Sequence, residues 1–316
     1  MAFGQIVGER AERDGSMTSQ PELSIVIPVF NSAEFLPEAV ATLLDFDGGN
    51  IEIIIVDDGS TDHSPCLIEG YRARDTRVIT ARQENRGQSA ARNLGMWISS
   101  GKYVMFLDSD DMVDPKLLCS GILDSAVQDG LDVALFDTKP FTQDYQLEVQ
   151  LADYQTHYRR SNKVMKTVLT GSELAASLVS TGSYTPSATL YLVRREFMLE
   201  HDIRFPEGQM MEDNPFTFQI FVSAERARYF ALAPHMRRLR SDSISQAAKP
   251  ELIFAGYLRA LLQVRRISEW SSQPAPSWHG HVASMLERQV LSRASSLDRP
   301  ALAQSLRKVS EDLGPR

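Results

Sequence analysis

The amino-acid sequence predicts an α/β fold built on a doubly wound, mostly parallel sheet with a helical C-terminal extension. Apolar runs that do not alternate with polar residues recur between Leu23 and Phe136, and such runs are typical of strands buried on both faces. Segments with apolar residues at helical spacing separate these runs. Alternating strands and helices indicate crossover connections and therefore a parallel sheet.

The first half of the chain contains five predicted strands, which are Leu23–Val29, Ile51–Val56, Arg77–Ala81, Lys102–Leu107 and Leu131–Phe136. Helical spacing of apolar residues predicts the intervening helices, which lie near 35–44, up to about Arg74, over Gly87–Ser99 and from Pro115 onward. Proline suits the first turn of a helix because its missing N–H has no partner there.

The second half of the chain is less regular. Residues 139–163 lack a clear period and are expected to form a flap. Thr170 and Glu173 have the spacing of a capping box at the start of a helix. The remaining predicted elements are a strand over Ala188–Val193 and helices over Phe216–Ala224, from Lys249, and at about 281–296 and 298–313. His279 and His281 are interpreted as surface histidines of a linker.

The composition excludes several classes of protein. The net charge of −8, from 41 acidic and 33 basic residues, makes a nucleic-acid partner unexpected. Cys66 and Cys119 are the only cysteines, which fits a reducing compartment rather than a disulfide framework. The sequence contains no run of about 18 apolar residues, so no transmembrane helix is expected. The N-terminus has no apolar segment of the kind that a secretory signal requires. Residues 1–20 are expected to be a flexible tail, with Met17 as an alternative start.

Carboxylates follow two of the predicted strands at the point where each strand ends. Asp57 and Asp58 follow the second strand, and Asp108, Asp110 and Asp111 follow the fourth. Ligands of doubly wound sheets bind outside the carboxyl ends of the strands, where the turn after the first strand also lies. Clustered carboxylate oxygens suit a divalent ion such as Mg²⁺ or Mn²⁺. A solvated acidic turn is the alternative interpretation of the cluster.

Four blocks of sequence resemble the signature blocks of family 2 glycosyltransferases of the GT-A fold, a Rossmann-like doubly wound sheet. The blocks are Ser24–Asn31, Ile54–Asp62, Asn85–Asn93 and Gly101–Asp111. Two later blocks, Glu212-Asp213 and Arg240–Ser245, extend the resemblance over about residues 22–246. It implies a GT-A domain over 21–246, with a nucleotide-sugar half (21–137), an acceptor half (138–246) and a helical region over 247–316.

The resemblance implies a role for each residue that would bind the donor, a nucleotide-diphosphate sugar. Asp58 matches the acid that hydrogen-bonds the base, usually uracil. The loop against the nucleotide is matched by Pro28, Phe30 and Asn31, with Phe30 at a position where tyrosine is common. Arg86 and Arg92 are expected either to reach the diphosphate or to pair with nearby acids.

The segment Asp108-Ser109-Asp110 matches the D-x-D motif of the family. Asp110 is expected to coordinate Mn²⁺ or Mg²⁺, and Asp108 to contact the ribose or the metal, with Ser109 between them. Asp111 is expected to orient loop amides or sugar hydroxyls, with a purely structural role as the alternative.

Asp213 matches the catalytic base of the family and would open the helix that carries Phe216. Glu212 would then hold hydroxyls of the acceptor or the donor. A helix cap is the alternative role for Asp213, since a carboxylate is favoured at the amino end of a helix.

Arg237, Arg238 and Arg240 stand where the family often has aromatic residues and a histidine. Phosphate neutralisation, an acceptor-binding patch and a solvated face remain open as roles for these arginines. Because of this departure from the family pattern, no histidine is assigned as a ligand to the metal.

The sequence therefore predicts an inverting, metal-dependent glycosyltransferase that uses a nucleotide-diphosphate sugar, expected to be UDP-linked. The acceptor would be a glycan or a lipid-linked hydroxyl compound in cell-surface polysaccharide or glycoconjugate synthesis. The expected location is the cytoplasm. The C-terminal helices would cover the core, touch the inner face of a membrane, or pair two subunits. A nucleotidyltransferase on the same sheet and a non-catalytic nucleotide-sugar-binding protein are the rival functions.

Overall fold

The computed structural model describes residues 20–48, 50–241, 248–271 and 275–313. Of the tail predicted over residues 1–20, only Gln20 lies inside these ranges. Most of the last family block, from residue 242 onward, also lies outside them.

The first half of the sheet is parallel, as the sequence predicts. Its four strands are β1 (Leu23–Val29), β2 (Ile51–Asp57), β3 (Val78–Arg82) and β4 (Tyr103–Phe106), in the spatial order β3-β2-β1-β4. The crossover helices are α1 (Leu36–Leu44), α2 (Ser64–Arg74) and α3 (Gln88–Ile98). Every residue of β1, β2 and β4 is buried, which explains their nearly continuous apolar sequences.

The second half of the sheet is mixed. Its strands are β5 (Met112–Val113), β6 (Val133–Thr142), β7 (Tyr191–Arg194) and β8 (Ala227–Leu239). They complete the order β3-β2-β1-β4-β7-β6-β8-β5. β7 runs antiparallel to both β4 and β6, β8 runs parallel to β6, and β5 is antiparallel to β8.

The structure corrects two predictions for this half. Residues 139–163 do not form an aperiodic flap, because β6 continues to Thr142 and a helix, α6 (Glu148–Tyr158), follows a 3₁₀ turn at Tyr145–Leu147. The long strand β8 was not predicted at all. It contains Pro234 and several arginines, so it lacks the apolar pattern of a buried strand.

The remaining helices of the core domain are α4 (Pro115–Leu118), α5 (Asp124–Asp129), α7 (Gly171–Ser180), α8 (Arg195–Glu200) and α9 (Asp213–Ser223). A π-helical turn, Cys119–Leu123, joins α4 to α5. The capping box of α7 is confirmed, since Thr170 and Glu173 exchange side-chain-to-backbone hydrogen bonds. Asp213 begins α9, which is the position predicted for it.

The C-terminal helices α10 (Pro250–Ser271) and α11 (Ser277–Ala294) pack onto the core, and α12 (Arg299–Leu313) packs against α10. α10 contacts α9, and α11 contacts α7, where the Trp278 indole N–H donates to Ser172 Oγ at 2.8 Å. A Cβ atom at Gly256 would lie 2.8 Å from the Met210 carbonyl oxygen, so glycine permits the close approach of α10. His279 is buried inside α11, which overturns its interpretation as a surface linker residue.

Within the described ranges, no helix is both long enough and apolar enough to cross a membrane.

Candidate active site

A cleft of about 520 Å³ opens at the carboxyl ends of β1, β2 and β4. The predicted site residues that line it are Pro28, Phe30, Asp58, Arg86, Asp108, Ser109, Asp110 and Asp111. The loops after these strands thus converge on one place, as expected from parallel strands that end at the same edge. The predicted residues that do not line the cleft are Asn31, Arg92, Glu212 and Asp213.

Asp58 joins the end of β2 to the loop before α3. Its carboxylate is 2% exposed, and Oδ1 accepts hydrogen bonds from the Arg86 amide at 2.9 Å and from Gln83 Nε2 at 2.7 Å. Oδ2 accepts from the Gly87 amide at 2.8 Å. Because a carboxylate can accept about four hydrogen bonds, Asp58 has capacity for one more donor at the cleft.

The neighbouring loops are fixed by polar contacts between them. Asp57 Oδ1 accepts from the Ser60 amide at 2.8 Å, which closes the turn after β2. Asn31, with a φ of 49°, accepts from the Thr61 amide at 2.8 Å through Oδ1. Asn31 therefore holds the first loop against the second, while the neighbouring Phe30 ring is 46% exposed at the cleft.

Arg92 on α3 connects the D-x-D segment to the start of α9. Its Nη2 lies 2.7 Å from Asp108 Oδ1, and its Nη1 lies 2.9 Å from Glu212 Oε1. The side chains of Arg92 and Glu212 are 3% and 7% exposed, so this ion pair is shielded from water, whereas the Asp108 side chain is 29% exposed. Burial opposes the charged form of Asp108, but the charge and the hydrogen bond of Arg92, together with the more distant charge of Arg237, outweigh it and hold the pKa of this carboxyl below its usual value. Arg92 thus pairs with acids, one of the two roles expected for it.

Asp110 lies against Arg240, which follows the end of β8. Arg240 Nε is 2.8 Å from Asp110 Oδ2, and the guanidinium lies over the Phe35 ring at 4.7 Å. Burial, together with the negative charges of Asp111 and Asp108, raises the pKa of Asp110 to about 6. This carboxylate is therefore short of positive charge even with Arg240 beside it.

Asp111 is turned away from solvent and connects its loop to β8. Asp111 Oδ1 accepts from the Arg238 amide at 2.8 Å, and Oδ2 lies 3.1 Å from His235 Nε2. His235 is fully buried, and its Nδ1 contacts Thr138 Oγ1 at 2.6 Å. Asp111 lines the cleft and His235 does not, so their contact connects the cleft to a buried part of β8.

Asp213 occupies the first turn of α9 and is partly exposed. Its Oδ1 accepts a hydrogen bond from Asn214 Nδ2 at 3.0 Å. Burial and the neighbouring Glu212 charge raise the pKa of Asp213 to about 7, against the lowering effects of Arg92 and Arg237. A carboxylate with this pKa is suited to accept a proton near neutral pH.

The far wall of the cleft was not predicted from the sequence. It consists of Gly208–Met210, in the loop before α9, and of Leu252, Arg259 and Lys308 from the C-terminal helices. Helical spacing gave no signal for these positions, because amphipathic helices show which face is apolar but not which polar residue meets a cleft.

The two carboxylates of the D-x-D motif fit a divalent cation that binds together with phosphate. Within the described ranges, no group of three or more His, Cys, Asp or Glu residues has the arrangement of a complete metal site. Mg²⁺ is commonly held by one or two carboxylates together with substrate phosphates and water. Asp110 and Asp108 could supply such a partial set, and Arg240 now provides positive charge at the same carboxylate.

Comparison with known sequences finds similarity to glycosyltransferases. The sequence model of the family described as "Glycosyl transferase family 2" matches residues 24–175. The uncharacterized glycosyltransferase YibD of Escherichia coli is 28% identical over 254 residues, which are 80% of this chain and 72% of that protein. The uncharacterized glycosyltransferase EpsJ of Bacillus subtilis is 29% identical over 229 residues, which are 72% of this chain and 63% of that protein.

Solved structures with a similar fold also exist. Staphylococcus aureus TarS 1–349 in complex with UDP-GlcNAc superposes with a TM-score of 0.65 at 21% identity, covering 91% of this chain and 80% of that one. The mannosyltransferase PcManGT from Pyrobaculum calidifontis, in complex with GDP-Man and Mn²⁺, gives a TM-score of 0.58 at 14% identity. That match covers 95% of this chain and 77% of PcManGT.

Proposed function

Because this chain belongs to family 2 of the glycosyltransferases and has the GT-A fold, we propose that it is an inverting, metal-dependent enzyme that uses a UDP-linked sugar. Its acceptor is a hydroxyl group of a glycan or a lipid-linked compound in cell-surface polysaccharide or glycoconjugate synthesis. The observation that carries this proposal is the cleft in which Asp58, Asp108 and Asp110 meet from two strand ends.

The nucleotide binds, in this proposal, along the ends of β1 and β2. The free hydrogen-bonding capacity of Asp58 suits the imide N–H of a uracil ring, and the exposed Phe30 ring offers a flat apolar surface beside it. TarS, which was solved with UDP-GlcNAc, has a higher TM-score to this chain than PcManGT, which was solved with GDP-Man. This comparison supports uridine over guanosine as the nucleoside of the donor.

The diphosphate lies, in this proposal, over the D-x-D segment. Asp110 and Asp108 would hold Mn²⁺ or Mg²⁺, which when bound would neutralise charge on the leaving diphosphate. Arg92 fixes the Asp108 carboxylate and, through Glu212, the start of α9. The donor-binding half (21–137) and the acceptor-binding half (138–246) are therefore connected by one buried guanidinium.

Transfer proceeds by a single displacement at the anomeric carbon. The acceptor oxygen attacks C1 while the bond from C1 to the phosphate oxygen breaks, and Asp213 takes the proton of the acceptor hydroxyl. The new bond forms on the face opposite the leaving group, so the configuration at C1 inverts. The pKa of about 7 for Asp213 supports its role as the proton acceptor. A cytoplasmic location fits the two free cysteines, Cys66 and Cys119.

Thermal unfolding with a panel of UDP-, GDP-, CDP- and dTDP-sugars in Mn²⁺ tests this proposal. A ligand that binds only the folded state raises the melting temperature, so UDP-sugars are expected to give the largest shift. With an acceptor present, the enzyme is expected to release UDP from the donor. Without an acceptor, UDP is expected to be released slowly by hydrolysis of the donor. Binding without any turnover would favour a non-catalytic binding protein, and no shift with any nucleotide sugar would refute the proposal.

A further inference from the structure

The basic residues at the end of β8 have different surroundings although they are close in sequence. Arg237 and Arg238 are consecutive residues of β8, Arg240 lies just beyond its end, and all three line the cleft. Arg238 and Arg240 share one aromatic partner, since both guanidinium groups lie over the Phe35 ring, at 5.4 Å and 4.7 Å. Arg237 lies instead over the Tyr158 ring at the end of α6, at 5.3 Å.

Arg238 is committed to holding the fold together. Its Nε donates to the Asp110 carbonyl oxygen at 2.9 Å, and its Nη1 donates to Gln143 Oε1 at 2.7 Å. Its Nη2 pairs with Glu38 on α1. These contacts join three segments of chain, and the guanidinium has little capacity left for a ligand.

Arg237 is the cleft-lining arginine of this group without a carboxylate partner among the described residues. Arg238 pairs with Glu38, and Arg240 pairs with Asp110, whereas the side chain of Arg237 forms no ion pair within the described ranges. It is held in place by the aromatic ring of Tyr158, an interaction that leaves the N–H groups at the edge of the guanidinium plane available.

Arg237 interacts electrostatically both with the acids of the D-x-D segment and with Asp213, the proposed base. Burial opposes its charge, but Tyr158 and the acids Asp111, Asp108 and Asp110 raise the pKa of Arg237 above its usual value. Its charge also lowers the pKa of Asp213. Arg237 thus remains a cation that interacts electrostatically with both the D-x-D acids and the proposed base.

We propose that Arg237 binds the diphosphate of the donor and stabilises it as the leaving group, an inference that rests on the proposed function. As the bond from C1 to the phosphate oxygen breaks, its electron pair passes to that oxygen. Arg237 donates hydrogen bonds to the phosphate oxygens that gain this charge. An arginine suits this task because its planar fork matches the geometry of phosphate. The contact with the Tyr158 ring positions the fork before the donor arrives.

Calorimetric titration of UDP and of uridine, each in EDTA and in Mn²⁺, tests this inference on wild type, Arg237→Gln and Arg237→Lys. Arg237→Gln should weaken UDP binding about tenfold or more, the usual effect of losing one charged hydrogen-bond donor. Uridine, which lacks phosphate, should bind wild type and both variants with equal affinity. Arg237→Lys should recover part of the UDP affinity, and the effect should persist in EDTA because the cation belongs to the protein. The kcat of Arg237→Gln should fall about 100-fold or more.

Arg228→Gln is the matched control, because Arg228 also lies on β8 and over an aromatic ring, Phe230 at 4.7 Å, yet does not line the cleft. This variant should bind UDP as wild type does. Equal UDP affinity in Arg237→Gln and wild type would overturn the role of Arg237 while leaving the proposed function intact. A wild-type protein that binds neither UDP nor any other nucleoside diphosphate would overturn both.

Discussion

Arg240 and Asp110 form an ion pair of 2.8 Å at the D-x-D segment. The two side chains are 25% and 21% exposed, so water screens their attraction only in part. In the proposed function Asp110 is also the principal metal ligand. Arg240 and the metal ion therefore compete for one carboxylate, and Arg240 supplies part of the positive charge that the ion would bring.

Arg240→Met should therefore tighten the binding of Mn²⁺ to the protein without nucleotide. A pair of this exposure contributes at most about 1 kcal/mol, which corresponds to about a fivefold gain in affinity. Electron paramagnetic resonance of free Mn²⁺ measures this directly. Weaker Mn²⁺ binding in Arg240→Met would show that Arg240 supports the metal site rather than competing with it.

Arg92→Met should destabilise the protein strongly, because it leaves Asp108 and Glu212 without their shared cation. Removing one partner from a buried pair costs about 3–5 kcal/mol, and the Arg92 side chain is 3% exposed. Urea denaturation followed by circular dichroism measures this loss. Arg72→Met is the control, since the pair of Arg72 with Glu69 is largely exposed and its loss should change stability little. Similar midpoints for both variants would contradict a joining role for Arg92.

Asp213→Asn should keep donor binding and lose transfer by about 100-fold to 10⁴-fold, because an amide cannot accept the proton. In wild type, the kcat/KM should fall tenfold per pH unit below about pH 7, where Asp213 becomes protonated. Steady-state kinetics from pH 5 to 9 check both statements. Glu196→Gln, which removes an exposed carboxylate from the first turn of α8, should leave activity unchanged. Full transfer by Asp213→Asn would leave Asp213 as a helix cap only.

The same substitution should stabilise the fold in a pH-dependent way. The pKa of Asp213 is about 7 in the folded protein and about 3.8 when unfolded, so folding favours the protonated form. The cost of burying the charge is absent below about pH 4 and complete above about pH 7. Asp213→Asn should therefore raise the melting temperature by about 2 °C or more at pH 8 but not at pH 4. An equal shift at both pH values would contradict the raised pKa.

The parallel half of the sheet could be predicted from sequence because its strands are buried on both faces. Runs such as Ile53–Val56 have no competing interpretation as surface strands, and the acids that follow them mark the strand ends. β8 could not be predicted, because the arginines that line the cleft stand where periodicity would need apolar residues to indicate a strand.

The contacts within the site depend on tertiary distances that spacing alone does not contain. Arg92 and Glu212 are 120 positions apart in sequence, so spacing does not decide between diphosphate and acid partners for Arg92, whereas the 2.9 Å contact between the two residues does. The same is true of Arg237, Arg238 and Arg240. Their separate partners depend on tertiary contacts around the end of β8, an element that was not predicted from the sequence.

In the proposed function, Asp110 is the residue on which binding of a metal-loaded donor depends most, and calorimetric titration of UDP-sugar in Mn²⁺ tests this role most directly. Asp110→Asn should lose at least about tenfold in donor affinity in Mn²⁺ and should match wild type in EDTA. Asp124→Asn, at an exposed position on α5 outside the cleft, should bind as wild type does. Equal affinity of Asp110→Asn and wild type in Mn²⁺ would contradict the account.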